Sequence, residues 1–272
     1  MKANIVENPI TVMKRHEMKY LLNAEQTEYL RNALEGYMEI DEFGRTSIAS
    51  LYYDTPDYRL IRASLERPAF KEKIRLRSYG IASESSPVYL ELKRKADHVV
   101  YKRRIQSTVG STERFFEGDE NVFSKGQISS EIAAFRDHYK NLAPACLIIY
   151  DRTAYYEPSG SLRLTIDENP RYRMKDLTLT KSMDGTLLLP EGWTILEIKV
   201  QDAMPLWLAD ILDHGEIYKT SFSKYGEAYK REVKTDVQFN ILSSRNTNAV
   251  FHNGWSGNSG RTNLRVAYEL SH

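Results

Sequence analysis

A period of two in the charged residues restricts this chain more than any other feature. In Lys71-Glu72-Lys73-Ile74-Arg75-Leu76-Arg77 every odd position is basic, while Ile74 and Leu76 stand at even positions. Successive side chains of a β-strand point to opposite faces, so this run predicts a strand with one basic face and one largely apolar face. The pattern recurs. Glu91, Lys93 and Lys95 alternate with Leu90 and Leu92, and Lys102 and Arg104 alternate with Tyr101, Arg103 and Ile105. Arg15, Glu17 and Lys19 share a face near the start, as do Tyr150 and Arg152, Arg163 and Asp167, and Glu197 and Lys199 further on.

An antiparallel sheet with one wet face also alternates apolar and polar residues, and for any single strand that plain reading stays open. Across seven strands it weakens. A solvated face mixes Thr, Ser, Gln and both signs of charge, whereas this one is Lys and Arg interrupted by isolated acids. Between Ala69 and Arg104 there are ten Lys/Arg and four Asp/Glu, in a chain whose net charge is only +1. The charge is therefore segregated rather than general. Like charges on neighbouring strands repel, so such a face needs a multivalent anion to fill it. Arg supplies forked donors that match phosphate oxygens and Lys supplies point charge. Polyphosphate or a nucleoside triphosphate is the natural occupant.

Strand patterns are expected at about residues 13–22, 46–54, 69–79, 88–95, 99–105, 146–155, 161–167 and 193–200. Helical spacing is expected at about 24–37, 129–140, 204–212 and 222–230, the first opened by Asn23 with Gln26 three residues on, as in a capping box. These elements predict an α+β fold, an eight-stranded antiparallel β-barrel tunnel with peripheral helices. One domain is expected over residues 1–235. The Asn-, Ser- and Gly-rich residues 236–272 are expected to form a peripheral or partly disordered tail.

Other chemistries find little support. The single cysteine, Cys146, lies in the apolar run Ala145–Ile149, which reads as a buried hydrophobe and leaves no disulfide or thiolate cluster. The six His are scattered, and no Walker loop, dinucleotide fingerprint, HExxH helix or GxSxG elbow occurs. Neither a secretory leader nor a run of about 18–20 apolar residues is present, so a cytoplasmic location is expected.

The stretches RHEMKYLL, SLYYDTPDYRLI, KIRLRSYG, YLELKRK, YKRRI, IIYDRTAYY, LRLTIDENPRYR, ILEIKV and SFSKYGEAY follow one another over residues 13–233. In that order they resemble the triphosphate tunnel metalloenzyme (CYTH-like) superfamily. The closer likeness is to the polyphosphate polymerase domain of the vacuolar transporter chaperone complex. The resemblance implies a tunnel that takes ATP and inorganic polyphosphate with Mn²⁺ or Mg²⁺, and transfer of the γ-phosphoryl group to a growing chain. It assigns Arg75, Arg77, Lys93 and Arg152 to the triphosphate, and Glu197 to the metal. Lys19, Lys102, Tyr150 and Lys224 become further substrate contacts. The shared strand faces add Arg15, Arg104, Arg163 and Lys199.

Two departures matter. Arg15-x-Glu17-x-Lys19 lacks the leading Glu of the hydrolytic branch, which favours the polymerase. Ser221 stands where the fungal catalytic subunit has a Lys, with Lys219 nearby. The alternatives are a metal-dependent tripolyphosphatase or nucleoside triphosphatase, and a non-catalytic binder of polyphosphate or RNA. Aromatic residues are too thin on the basic faces for base stacking, so no nucleic acid partner is expected.

Overall fold

The computed structural model of the chain describes residues 16–66, 69–96, 99–158, 160 and 162–233. Arg15 and the tail expected over residues 236–272 lie outside them. Apart from residues 231–233, the described residues belong to one compact unit, Met1–Lys230.

The strands are β1 (His16–Leu22), β2 (Glu39–Asp54), β3 (Phe70–Tyr79), β4 (Val88–Ala96), β5 (Val99–Ser107), β6 (Ala143–Tyr156), β7 (Leu162–Arg173), β8 (Thr186–Leu187), β9 (Thr194–Val200) and β10 (Lys219–Thr220). The helices are α1 (Ala24–Ala33), α2 (Arg59–Leu65), α3 (Val109–Phe116), α4 (Gln127–Tyr139) and α5 (Leu206–His214). A further helix, α6, begins at residue 224 and runs through the last described residue, 233. The expected capping box is present. Asn23 Oδ1 accepts from the Gln26 N–H at 2.8 Å, and Gln26 Oε1 accepts from the Asn23 N–H at 3.1 Å.

All strand pairs are antiparallel, in one ten-stranded sheet ordered β10-β1-β9-β7-β6-β2-β3-β4-β5, with β8 beside β7. The expected strands and the α+β class are found. The sheet is open, however: its path ends at β5 and β10, and among the described residues no ladder joins the two, so the expected eight-stranded barrel tunnel appears as a ten-stranded curled sheet that is not closed. Eight strands are seven residues or longer, and β8 and β10 have two residues each.

Register shifts at Ile40/Arg45 and Tyr52/Tyr53 in β2, and at Ile149/Asp151 in β6, mark bulges, which bend strands and tighten their twist. The sheet thus curls strongly. Lys93 Nζ on β4 comes within 3.6 Å of Glu17 Oε2 on β1, although β9, β7, β6, β2 and β3 intervene along the sheet.

The apolar parity of each strand faces outward under helices. One cluster sets Leu51, Ile74, Leu76, Leu90, Leu92 and Leu147 against Phe115, Ile132 and Phe135 of α3 and α4. A second sets Leu22, Leu164, Ile166, Leu196 and Ile198 against Leu30 of α1 and Leu208 of α5. Each such side chain, fully buried, contributes roughly 1.5–3 kcal/mol. A third cluster lies on the inner face, where Ile48, Cys146, Ile148 and Tyr150 meet Ile61 of α2 and Tyr225 and Ala228 of α6.

Helices α2 and α3 escaped the sequence reading because their caps look like turns. Asp54, in Asp54-Thr55-Pro56-Asp57, is 1% exposed and accepts from the N–H groups of Thr55, Leu60 and Ile61 and from the Tyr225 hydroxyl. Thr108 caps α3 by accepting from the Ser111 N–H at 3.2 Å. Among the described residues no helix is long and apolar enough to cross a membrane.

Removing the Asp54 carboxylate would strand three buried N–H groups and one phenol. Asp54→Ala should cost about 3 kcal/mol, read as a lower urea midpoint. An unchanged midpoint would show that α2 and α6 do not depend on it.

A candidate anion-binding face

With one parity committed to the outer cores, the other parity of β3, β4 and β5 must turn inward, and it carries the cations. Register sets Lys73, Lys93 and Lys102 side by side on the three strands, with Arg75, Glu91 and Arg104 forming the next row. Like charges directly opposite are destabilising, and the structure offsets them with a few buried acids.

Glu91, 2% exposed, is the first of these. Arg75 Nε donates to its Oε2 at 2.9 Å, and Arg77 Nε lies 3.7 Å from the same oxygen. Lys102 Nζ is 2.8 Å and Arg104 Nε 3.4 Å from Oε1. Burial alone would raise this carboxyl, yet Arg75, Arg77 and Lys102 hold it well below the usual carboxylate range. The two arginines also donate to phenols, Arg75 to Tyr52 at 3.0 Å and Arg77 to Tyr150 at 3.2 Å. Burial pushes both phenols up, but Arg75 at Tyr52 and Arg77 and Arg152 at Tyr150 bring them below their ordinary value.

Asp167 on β7, fully buried, is the second acid. Arg152 grips it bidentately, Nε to Oδ1 at 2.6 Å and Nη2 to Oδ2 at 2.8 Å. Lys224, in the first turn of α6, reaches Oδ2 as well, with its ammonium 4.4 Å from the Tyr150 ring centroid. Burial pushes the Asp167 carboxyl up, but Lys224 and Arg152 outweigh it and bring it to about 2.

The third centre joins β1 and β9. Lys199 Nζ lies 3.1 Å from Glu197 Oε1, and Arg152 Nη2 lies 3.8 Å from Oε2. Lys19 pairs with Glu17 at 3.5 Å and stands directly across from Glu197 in the β1–β9 ladder. Against burial, Lys19, Lys199 and Arg152 keep Glu197 well below its ordinary value.

The structure therefore brings Arg75, Arg77, Lys93, Lys102, Arg104 and Tyr150 to one inner face. Arg152, Lys19, Lys199, Glu197 and Lys224 join them there. Arg163 is placed elsewhere: its exposed side chain pairs with Asp41 at 3.1 Å, because it stands near the start of β7, four residues along the strand from the buried Asp167. The sequence reading missed Asp167, Glu91, Glu17 and Tyr52 as site residues. Their signal was the shared parity, since each acid sits two or four residues from a basic residue on its own strand or across one. A separate cavity of about 310 Å³ opens on the outer face among Phe70, Arg94, Tyr101, Arg103 and Glu131, on the opposite side of β4 and β5 from this chemistry.

The VTC domain family model matches residues 14–233. The chain belongs to that family. A search among curated proteins finds no match. Solved structures with partial likeness include a putative adenylyl cyclase from Hippeastrum, described as having a dominant triphosphatase activity. It is 18% identical, with 77% of this chain and 92% of that chain covered and a TM-score of 0.46. A putative adenylate cyclase from Bacillus halodurans is 15% identical, covering 78% and 96%, with a TM-score of 0.46. Another from Vibrio parahaemolyticus is 10% identical, covering 80% and 99%, with a TM-score of 0.43.

A carboxylate held at about 2 stabilises the fold fully above its unfolded value near 3.9, and that stabilisation fades as the pH falls toward 2. Asp167→Asn leaves Lys224 without its counter-ion and Arg152 with only the more distant Glu197, so it should cost about 3–5 kcal/mol at pH 7. It should also remove part of the acid dependence of stability between pH 4 and 2. Denaturant melts across that range check both expectations.

Proposed function

We propose that this VTC-family chain is an ATP-dependent polyphosphate polymerase that transfers the γ-phosphoryl group of ATP to the end of a polyphosphate chain on its inner face. The observation that carries the reading is the convergence of forked Arg and point-charge Lys from most long strands onto one inner face of the curled sheet. Family membership over residues 14–233 supports it.

Phosphoryl transfer asks chiefly for positioning and charge neutralisation. Arg75, Arg77, Lys93 and Arg152 bind the triphosphate, and Lys19, Lys102 and Lys224 balance the rest of the chain. A terminal phosphate oxygen of the acceptor attacks Pγ, the β–γ bond breaks, ADP leaves with the bonding electrons, and the chain grows by one unit. That oxygen is already anionic near neutral pH, so no side chain has to remove a proton. Among the described residues no side chain of the inner face named above is a His.

Among the described residues no three His, Cys, Asp or Glu side chains gather to hold a metal by themselves. Magnesium-type ions usually take one or two carboxylates and complete their shell with phosphate oxygens and water. Ionised Glu197, with Glu17 diagonal to it on the neighbouring strand β1, fits that kind of site. Bound there, Mg²⁺ or Mn²⁺ would neutralise and orient phosphate oxygens.

Purified protein given ATP and Mn²⁺ should yield ADP and long polymer on a polyphosphate gel. Free phosphate without polymer would assign hydrolysis instead, and neither product would leave only anion binding. Arg75→Ala combined with Arg77→Ala should abolish product. Glu197→Gln should cut turnover at least 100-fold, with partial recovery at higher Mn²⁺; full turnover in this variant would remove Glu197 from the metal site.

A further inference from the structure

The cations gathered by Glu91, Asp167, Glu197 and Glu17 each lie against a carboxylate. Lys73 does not. Among the described residues its ammonium group makes no ion pair, and it donates a hydrogen bond to Ser223 Oγ at 3.3 Å, just before α6. Lys93 stands directly across from it on β4, Lys71 and Arg75 flank it on β3, and Lys19 approaches from β1 on the far side of the curled sheet. The nearby acids are already engaged. Glu17 pairs with Lys19 and Lys93, Glu91 with Arg75 and three other cations, and Asp54 on β2 with backbone N–H groups and Tyr225. The Tyr52 hydroxyl accepts from Arg75, and Lys224 on α6 is held by Asp167.

We infer that Lys73 is a phosphate-binding side chain of the inner face that takes up a proton from solvent when a phosphate chain enters. The inference rests on the reading of this face as a polyphosphate site. Without ligand, the ammonium form of Lys73 is both partly desolvated and repelled by four cations. Burial, then Lys71, Lys19, Lys93 and Arg75, bring its amine down to about 7. A phosphate oxygen beside Nζ reverses the sign of the local field, so –NH₂ gains a proton and becomes –NH₃⁺ in the complex. Phosphate entry and proton uptake at Lys73 are then one event. Ser223 holds the amine toward the ligand and adds a hydroxyl donor.

The test is calorimetry of tripolyphosphate binding to the full chain without added metal, in two buffers of different ionisation enthalpy, from pH 6 to pH 8. Lys73→Arg is the control, because guanidinium stays charged throughout and contributes no proton uptake. With the free amine near 7 and the bound one well above 8, wild-type affinity relative to Lys73→Arg should fall about ten-fold from pH 6 to pH 8. At pH 8 the wild type should take up close to one more proton per molecule than Lys73→Arg. Lys73→Met should bind weakly at both pH values. Protonation of the ligand itself is common to all three proteins and cancels in the comparison. Equal proton uptake by wild type and Lys73→Arg, with a constant affinity ratio, would overturn the role of Lys73 alone. Absence of binding by every protein at pH 6 would overturn the polyphosphate reading and this inference together.

Discussion

The structure depends on a balance between crowded like charges and a few buried acids. Glu91 lies against Arg75, Arg77, Lys102 and Arg104, and Asp167 against Arg152 and Lys224. Without these carboxylates the cation rows across β3, β4 and β5 would push the curled sheet apart. With them, the face remains folded and still carries an excess of positive charge. Buried pairs of this kind are weak stabilisers against well-packed apolar groups, but breaking one leaves an uncompensated charge and is expensive. The acids thus hold the donors in position, with guanidinium planes fixed and Lys side chains directed inward. Pre-set donors of this type lose little freedom when an anion arrives.

A second constraint fixes how far the inner face is filled. Tyr225 of α6 stacks on Tyr52 at 4.8 Å between centroids and donates its hydroxyl to Asp54, the residue that also caps α2. This small apolar and hydrogen-bonded assembly pins α6 against β2 and β6. The same helix then presents Lys224 to Asp167 and sets Ser223 beside Lys73. One end of the inner face is therefore packed like a core, while the part lined by β3, β4, β5, β1 and β9 is charged. Core packing of α6 and the placement of two candidate phosphate contacts are a single structural event.

Much of this was legible in the chain. Strict alternation located most of the long strands to within three residues, although β2 begins seven residues earlier and β7 ends six residues later than expected. It put Lys71, Lys73, Arg75 and Arg77 on one face, because a strand has no other way to place side chains two apart. The Asn23–Gln26 box marked the start of α1 for an equally local reason. What escaped were features in which local signals conflict with distant ones. The Asp54–Asp57 stretch reads as a turn, and only the docking of Tyr225 shows that Asp54 caps a helix. Arg163 has the right parity but stands near the start of β7 and pairs with Asp41, since parity fixes a face and says nothing about depth.

The sequence by itself determined which side chains share a face, since that follows from the two-residue period of each strand. It also determined that those faces are too basic for an ordinary wet sheet. Only the tertiary structure decided which strands neighbour one another, and hence that the sheet curls with open ends at β5 and β10. It alone chose the acid that each cation meets, and left Lys73 with a hydroxyl instead of a carboxylate. Pairings such as Lys93 with Glu17 or Lys224 with Asp167 join residues 76 and 57 positions apart, and nothing local encodes them. They are set by the packing of the outer cores and of α6, which fixes how far the sheet bends and so which residues of its charged face come together.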